Sequence, residues 1–187
     1  MVKTVVTAVS LGLLAAACVP REASQAGSQD PAARGAYLAV IGGCDDCHTP
    51  KIMTPQRPVP DTTRRLSGHP AAEKLPPFPA AVLGPDKWGA VANNHLTAWA
   101  GPWGVSFASN LTPDETGLRA WNDSLFIVTM RTGTHLGSGR PILPPMPWFN
   151  LAAMTDDDLR AMFAFLRTLK PVSNQVPTPL PRGGGER

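Results

Sequence analysis

Cys44 and Cys47 stand two residues apart with His48 directly after them, in the run Cys44-Asp45-Asp46-Cys47-His48. These five positions constrain the fold more than any other feature of the chain. Cys-x-x-Cys-His is the spacing by which a polypeptide attaches a c-type haem. Two thiols so placed reach the two vinyl groups of one porphyrin, and the next residue sets an imidazole nitrogen beneath the iron. A structural zinc site also uses Cys-x-x-Cys, but it needs four closed ligands, and the only other cysteine is Cys18. A thioredoxin-like redox pair belongs among alternating strands and helices, and no strand run flanks this one. The spacing therefore predicts one covalent haem c, held through Cys44 and Cys47, with His48 as an axial ligand of the iron.

A chain of 187 residues is long enough for one ordinary domain. Its 21 prolines and 17 glycines require a large share of loop. A loop-rich fold needs something rigid inside it, and a buried macrocycle supplies apolar area on which short helices pack. The formal net charge of +3 is too small and too dispersed for a nucleic-acid partner.

Met1 to Ala17 carries one positive residue, Lys3, and then an apolar stretch from Val5, the pattern of an export signal. Leu14-Ala15-Ala16-Ala17-Cys18 resembles a lipobox, which makes Cys18 a candidate for lipid attachment. Ala15 stands where Leu is commonest, so ordinary cleavage after the alanines stays open. Either route takes the chain to the periplasm, where thioether attachment of haem also occurs in bacteria, and a lipid on Cys18 tethers it to a membrane. Residues 18–30 read as a flexible tether, 31–170 as the domain and 171–187 as a disordered Pro- and Gly-rich tail.

Within the domain, Asp30 is an N-cap and Pro31 an N1 residue for a helix reaching Ile41 and ended by Gly42 and Gly43. Tyr37, Leu38 and Ile41 share one face, and Gly35 permits close approach by another helix. A second helix is predicted over Asp123 to Thr132, between Asn122 and Gly133. The third follows Thr155-x-x-Asp158, a pattern like a capping box, with Leu159, Met162, Phe163, Leu166 and Leu169 at helical spacing before Pro171. Its three first-turn acids suit the positive end of the helix dipole. Residues 49–104 hold many prolines and no sustained period, so they read as a long wrapping loop with at most a turn or two of helix.

The residue facing His48 across the iron comes from a short set of methionines and histidines. Met130 and Met162 fall on helical faces that need core filler. Met53 follows the motif too closely to cross the porphyrin, and Met154 abuts a helix cap. Met146 lies in Leu143-Pro144-Pro145-Met146-Pro147-Trp148, an extended segment whose prolines fix the backbone, and is the expected ligand; His135 is the alternative. Pro145 and Trp148 are candidate pocket residues, and Phe149 joins Trp148 in excluding water. His48 is expected to donate its second N–H to a carbonyl, with a proline carbonyl of the long loop as the guess.

Over Gly35 to Leu169 the chain resembles a class I cytochrome c, more narrowly the cytochrome c domains and subunits of bacterial membrane-bound dehydrogenases. The matching stretches are Cys44 to Pro50, Asn110-Leu111-Thr112-Pro113-Asp114-Glu115-Thr116-Gly117-Leu118 followed by Trp121, Arg131-Thr132-Gly133, Pro145-Met146-Pro147 and Asp157-Asp158-Leu159. The resemblance implies an all-α cytochrome c fold, with three main helices around one haem, long Pro-rich loops, and the first and last helices crossing beside the haem. It also implies that Asn110 and Thr112 lie near the haem propionates, although the same residues make a plain turn. A single Cys-x-x-Cys-His departs from multihaem relatives and rules out an internal relay.

The expected function is that of a monohaem electron carrier between a dehydrogenase donor and a respiratory acceptor, an oxidase or another cytochrome, with no bond-making catalysis. A haem enzyme or a gas or peroxide sensor is the alternative; it needs an open sixth position, and His135 would be its distal base. A haem-free interaction protein with an accidental motif is the third reading.

Overall fold

The computed structural model describes residues 30–182. The export segment and Cys18 lie outside the described residues. α1 (Pro31–Ile41) starts where Asp30 accepts the Ala32 amide at 3.0 Å, with Pro31 in the first turn. After Gly42 and Gly43 the chain turns directly into a second short helix, α2 (Cys44–His48). Two small antiparallel sheets follow. The first pairs β1 (Lys51–Met53) with β2 (Pro58–Pro60); the second has the order β3 (Val91–Ala92), β4 (Ala98–Gly101), β5 (Gly104–Phe107). Three further helices follow, α3 (Asp123–Thr132), α4 (Trp148–Ala152) and α5 (Asp156–Thr168).

α1 and α5 cross at the centre of the molecule, and the crossing is set by one missing side chain. A Cβ on Gly35 would lie 1.9 Å from the Ala161 carbonyl oxygen, so only glycine lets the two backbones meet. Leu38 and Ala39 of α1, Phe126 and Met130 of α3, and Leu159, Met162, Phe163 and Leu166 of α5 form the buried core, with Leu66 and Leu118 added from loops. Phe126 and Phe163 stack at 5.6 Å between ring centres. Met130 and Met162 are core filler, as their helical positions predict.

The helix ends follow their caps. Asn122 accepts the Leu125 amide at 2.8 Å, and Thr155 accepts the Asp158 amide at 3.1 Å. The Asp158 carboxylate, however, does not close a capping box. It pairs with Arg34 of α1 at 2.9 Å, while Asp156 pairs with Arg131 of α3 at 2.6 Å. The first-turn acids of α5 therefore tie it to its neighbours as well as complementing its dipole.

The all-α expectation is overturned: five helices share the described residues with two antiparallel sheets. The strands fall mostly in 49–104, which reads as irregular because each runs only two to four residues, too short for a period of two to register. Pro58 and Pro60 are no obstacle, since β2 is an edge strand and needs no amide there. In the second sheet Ala98 and Ala100 are buried, with the larger Trp99 between them pointing to the opposite face.

Residues 171–182 also differ from expectation. This segment is extended, and its hydrogen bonds run back across the domain. Val105 and Leu180 exchange both backbone bonds at 2.9 Å. Asn174 Nδ2 donates to the carbonyls of Ser67 at 2.7 Å and His69 at 2.9 Å. Prolines exclude helix here, and these partners supply what an isolated tail lacks. Among the described residues, no helix is long and apolar enough to cross a membrane.

Candidate functional site

α2 consists of the five motif residues alone. On a helix, positions three and four apart share a face, so Cys44, Cys47 and His48 are presented together. Both cysteines are free thiols and half-buried. Burial, reinforced by the Asp45 carboxylate, pushes the Cys44 thiol up to about 11. Burial and Asp46 raise that of Cys47 as well. Both sulfurs are therefore protonated at neutral pH.

His48 is fixed through Nδ1, which lies 2.8 Å from the Ser109 carbonyl. Because a carbonyl only accepts, Nδ1 carries the proton and Nε2 keeps a lone pair. Burial holds the imidazole below its ordinary pKa, more than offsetting the Ser109 carbonyl, so the ring is neutral. The acceptor is thus Ser109 and not a proline carbonyl of the 49–104 segment. It lies just before Asn110, and no residue type marks it, since every residue offers the same carbonyl.

Ser109 is itself held from both sides. The Leu111 amide donates to Leu66 O at 2.9 Å, the His69 amide donates to Ala108 O at 2.9 Å, and the Gly68 amide donates to His48 O at 2.7 Å. Gly68 has φ +80, and a Cβ there would lie 2.6 Å from the Ser109 carbonyl carbon. Only glycine adopts that backbone and leaves room for the peptide that orients His48.

The end of α2 is fastened by charged groups that spacing did not reveal. Arg65 grips Asp45 through two bonds, Nε–Oδ1 at 3.0 Å and a terminal nitrogen to Oδ2 at 2.7 Å, while its guanidinium lies over the Phe165 ring of α5 at 5.3 Å. Thr49 donates to Asp45 at 2.7 Å and accepts the Leu66 amide at 2.9 Å. Burial raises the Asp45 carboxyl, yet Arg65, Thr49 and Lys51 together hold it below the usual carboxylate value. Lys51 Nζ donates to the carbonyls of Asp45 at 3.1 Å, Asp46 at 2.9 Å, and Thr49.

Met146 sits in the turn before α4 and packs, half-buried, against the same apolar cluster as Cys44. Leu111, Trp121, Ile142, Leu151 and Met154 also border that cluster without being fully buried. The Trp148 ring lies against Gly133 and meets Phe149, itself exposed, edge-on at 6.2 Å. Pro145 is exposed. His135, the alternative ligand, is half-buried with its ring edge-on to Trp121 at 5.4 Å. Asn110 and Thr112 are buried and spend their polar atoms within the protein. Asn110 Oδ1 accepts from the Thr112 hydroxyl at 2.8 Å, and its Nδ2 donates to Thr116 at 3.0 Å and Val172 O at 2.8 Å. This is the turn chemistry of the pair, joined to the extended segment 171–182.

A covalent haem c would need two thiols, an imidazole nitrogen and incompletely covered apolar side chains; the first two stand on α2, and the third lie along the core cluster against which Cys44 packs. An open apolar groove of ≈ 730 Å³ lies elsewhere, between residues 75–79 and the second sheet; none of the motif residues lines it.

No family model matches the chain. Over 90 residues, 48% of the chain, it is 33% identical to a nicotinate dehydrogenase subunit of Pseudomonas putida, and the match covers 8% of that relative. It is 36% identical over 80 residues, 42% of the chain, to the cytochrome c subunit of alcohol dehydrogenase (quinone) of Gluconobacter oxydans, covering 16% of it. The gluconate 2-dehydrogenase cytochrome c subunit of Pantoea cypripedii is 27% identical over 154 residues, 79% of the chain and 26% of the relative. The chain thus spans at most about a quarter of the length of these relatives, and over the matched stretches it is cytochrome c-like.

Proposed function

We propose that the chain is a monohaem c-type cytochrome of the class I kind, an exported electron carrier that receives single electrons from a dehydrogenase and passes them to a respiratory acceptor. One observation carries the reading: two unpaired thiols and a neutral imidazole stand on one helical turn, with Nδ1 of that imidazole already bound by Ser109. Haem c, once attached, supplies a one-electron iron couple.

The chain's own residues do the rest. Cys44 and Cys47, protonated and half-buried, are the thiols that add to the vinyl groups. His48 offers Nε2 to the iron, and its Nδ1–H bond to Ser109 fixes the tautomer and raises the basicity of the ligating nitrogen. Met146 would supply a thioether to the haem iron, a ligand that favours the reduced state. Held by both His48 and Met146, the iron would have no place for an exogenous ligand, which suits electron transfer better than the enzyme or sensor reading. The dehydrogenase donor is supported by the names of the relatives. The periplasmic location and lipid tether at Cys18 rest on the sequence of the first eighteen residues.

The test is expression of the full chain with a cytochrome maturation system. The mature protein is expected to gain the mass of one haem and keep its colour through a denaturing gel. The double variant Cys44→Ala, Cys47→Ala is expected to lose both. An unmodified chain that stays colourless at its apoprotein mass overturns the proposal.

A further inference from the structure

Lys51 is the first residue after the turn that ends α2, and only 8% of its surface is exposed. Burying an ammonium is costly unless its donors are satisfied. Here all three find backbone carbonyls, those of Asp45, Asp46 and Thr49. These belong to the motif helix and the residue just beyond it, at the negative end of the helix dipole; the Asp45 carbonyl also accepts the Thr49 amide at 3.3 Å, so there the lysine is a second donor.

Two further facts separate this lysine from an ordinary cap. Among the described residues it forms no ion pair with a carboxylate. The Asp46 and Asp45 carboxylates lie near enough to attract the ammonium, but neither touches it, and Asp45 is bound bidentately by Arg65. The positive charge of Lys51 is therefore not cancelled by a contact ion pair. Its backbone is also anchored away from the motif: Lys51 pairs with Pro60 in the first sheet, and its amide donates to His95 Nδ1 at 3.1 Å. The cation can leave only by side-chain rotation that gives up its three carbonyl bonds.

We propose that Lys51 is a positioning residue with an electrostatic second role: its ammonium clamps the end of the attachment helix, and so His48, and places a fixed cation without a contact carboxylate beside the redox centre. The assignment rests on the haem reading above. A fixed positive charge near an iron that gains positive charge on oxidation favours the reduced state, so Lys51 raises the reduction potential. In a half-buried site that effect is weakly screened by salt.

The experiment compares haem-bearing Lys51→Met, which keeps the apolar stem and loses charge and donors, with Lys51→Arg, which keeps both. Lys87→Met, in an exposed loop, is the control. Expected are a lower midpoint potential in Lys51→Met that persists at high salt, recovery toward the unmodified value in Lys51→Arg, and no change in the control. Failure of Lys51→Met to mature, with Lys51→Arg maturing normally, supports the clamp. An unchanged potential in Lys51→Met, or equal loss in both Lys51 variants, overturns the assignment. Absence of covalent haem from the unmodified protein instead overturns the parent reading, so the two failures are told apart.

Discussion

At the scale of single residues, the proposed site draws its two iron ligands from opposite kinds of backbone. His48 comes from a helix whose end is clamped, whereas Met146 comes from a proline-bounded turn with no such clamp. Met146→Ala is expected to remove the weak long-wavelength band of the oxidised protein and to let the reduced protein bind carbon monoxide readily, while covalent attachment survives. Retention of that band in the variant would transfer the ligand role elsewhere, with His135 the first alternative. The motif cysteines and His48 were legible because their chemistry demands a fixed spacing. Ser109, Arg65 and Lys51 were not, because a carbonyl acceptor has no residue signature and the two cations reach α2 through tertiary contacts 20 residues away or through a strand start.

At the scale of elements, the crossing of α1 and α5 organises everything else, and it tolerates no added volume. Gly35→Val is expected to force the helices apart, at a cost of about 1–3 kcal/mol or more, read as a lower thermal midpoint by circular dichroism of the haem-bearing protein. Phe163→Ala, which empties a buried site against Phe126, is expected to cost about 3–5 kcal/mol. A midpoint unchanged in Gly35→Val would mean the close approach does not exist. α1, α3 and α5 were readable because Asp30, Asn122, Thr155 and the stops at Gly42, Gly133 and Pro171 punctuate runs of ten residues or more. The strands were unreadable because their pairing, not their pattern, defines them, and the fold class was misjudged with them.

At the scale of the whole molecule, a polar cluster beside the second sheet contains one fully buried histidine. His69, 1% exposed, stands 3.0 Å from the Thr97 hydroxyl and 4.8 Å, centre to centre, from the Phe107 ring. Glu73 lies 3.9 Å from both His69 and His95. Burial lowers the pKa of His69, with Glu73 opposing and His95 assisting. Below the ordinary histidine value of about 6.5, the unfolded chain therefore takes up a proton that the folded chain refuses. Stability is complete above that value and declines as pH falls through it. Denaturant titrations of the haem-bearing protein between pH 7.5 and about 5 are expected to show this loss, and His69→Gln is expected to reduce the slope. Because burial also lowers His135, the slope shrinks without vanishing; an identical slope in the variant would exclude His69 as a contributor.

The strap at 171–182 bears on how such a molecule comes into being. Asn174 and Val172 fasten the carbonyls of Ser67 and His69 and the side chains of Asn110, Thr112 and Thr116, the loops on either side of the Ser109 peptide. Those fastenings are made by residues more than 100 positions further along the chain than the Ser67 and His69 carbonyls they hold. With that stretch undocked, the wall that orients His48 would lack these braces. A bulky guest would thus enter beside Cys44 and Cys47 most easily before this latch closes.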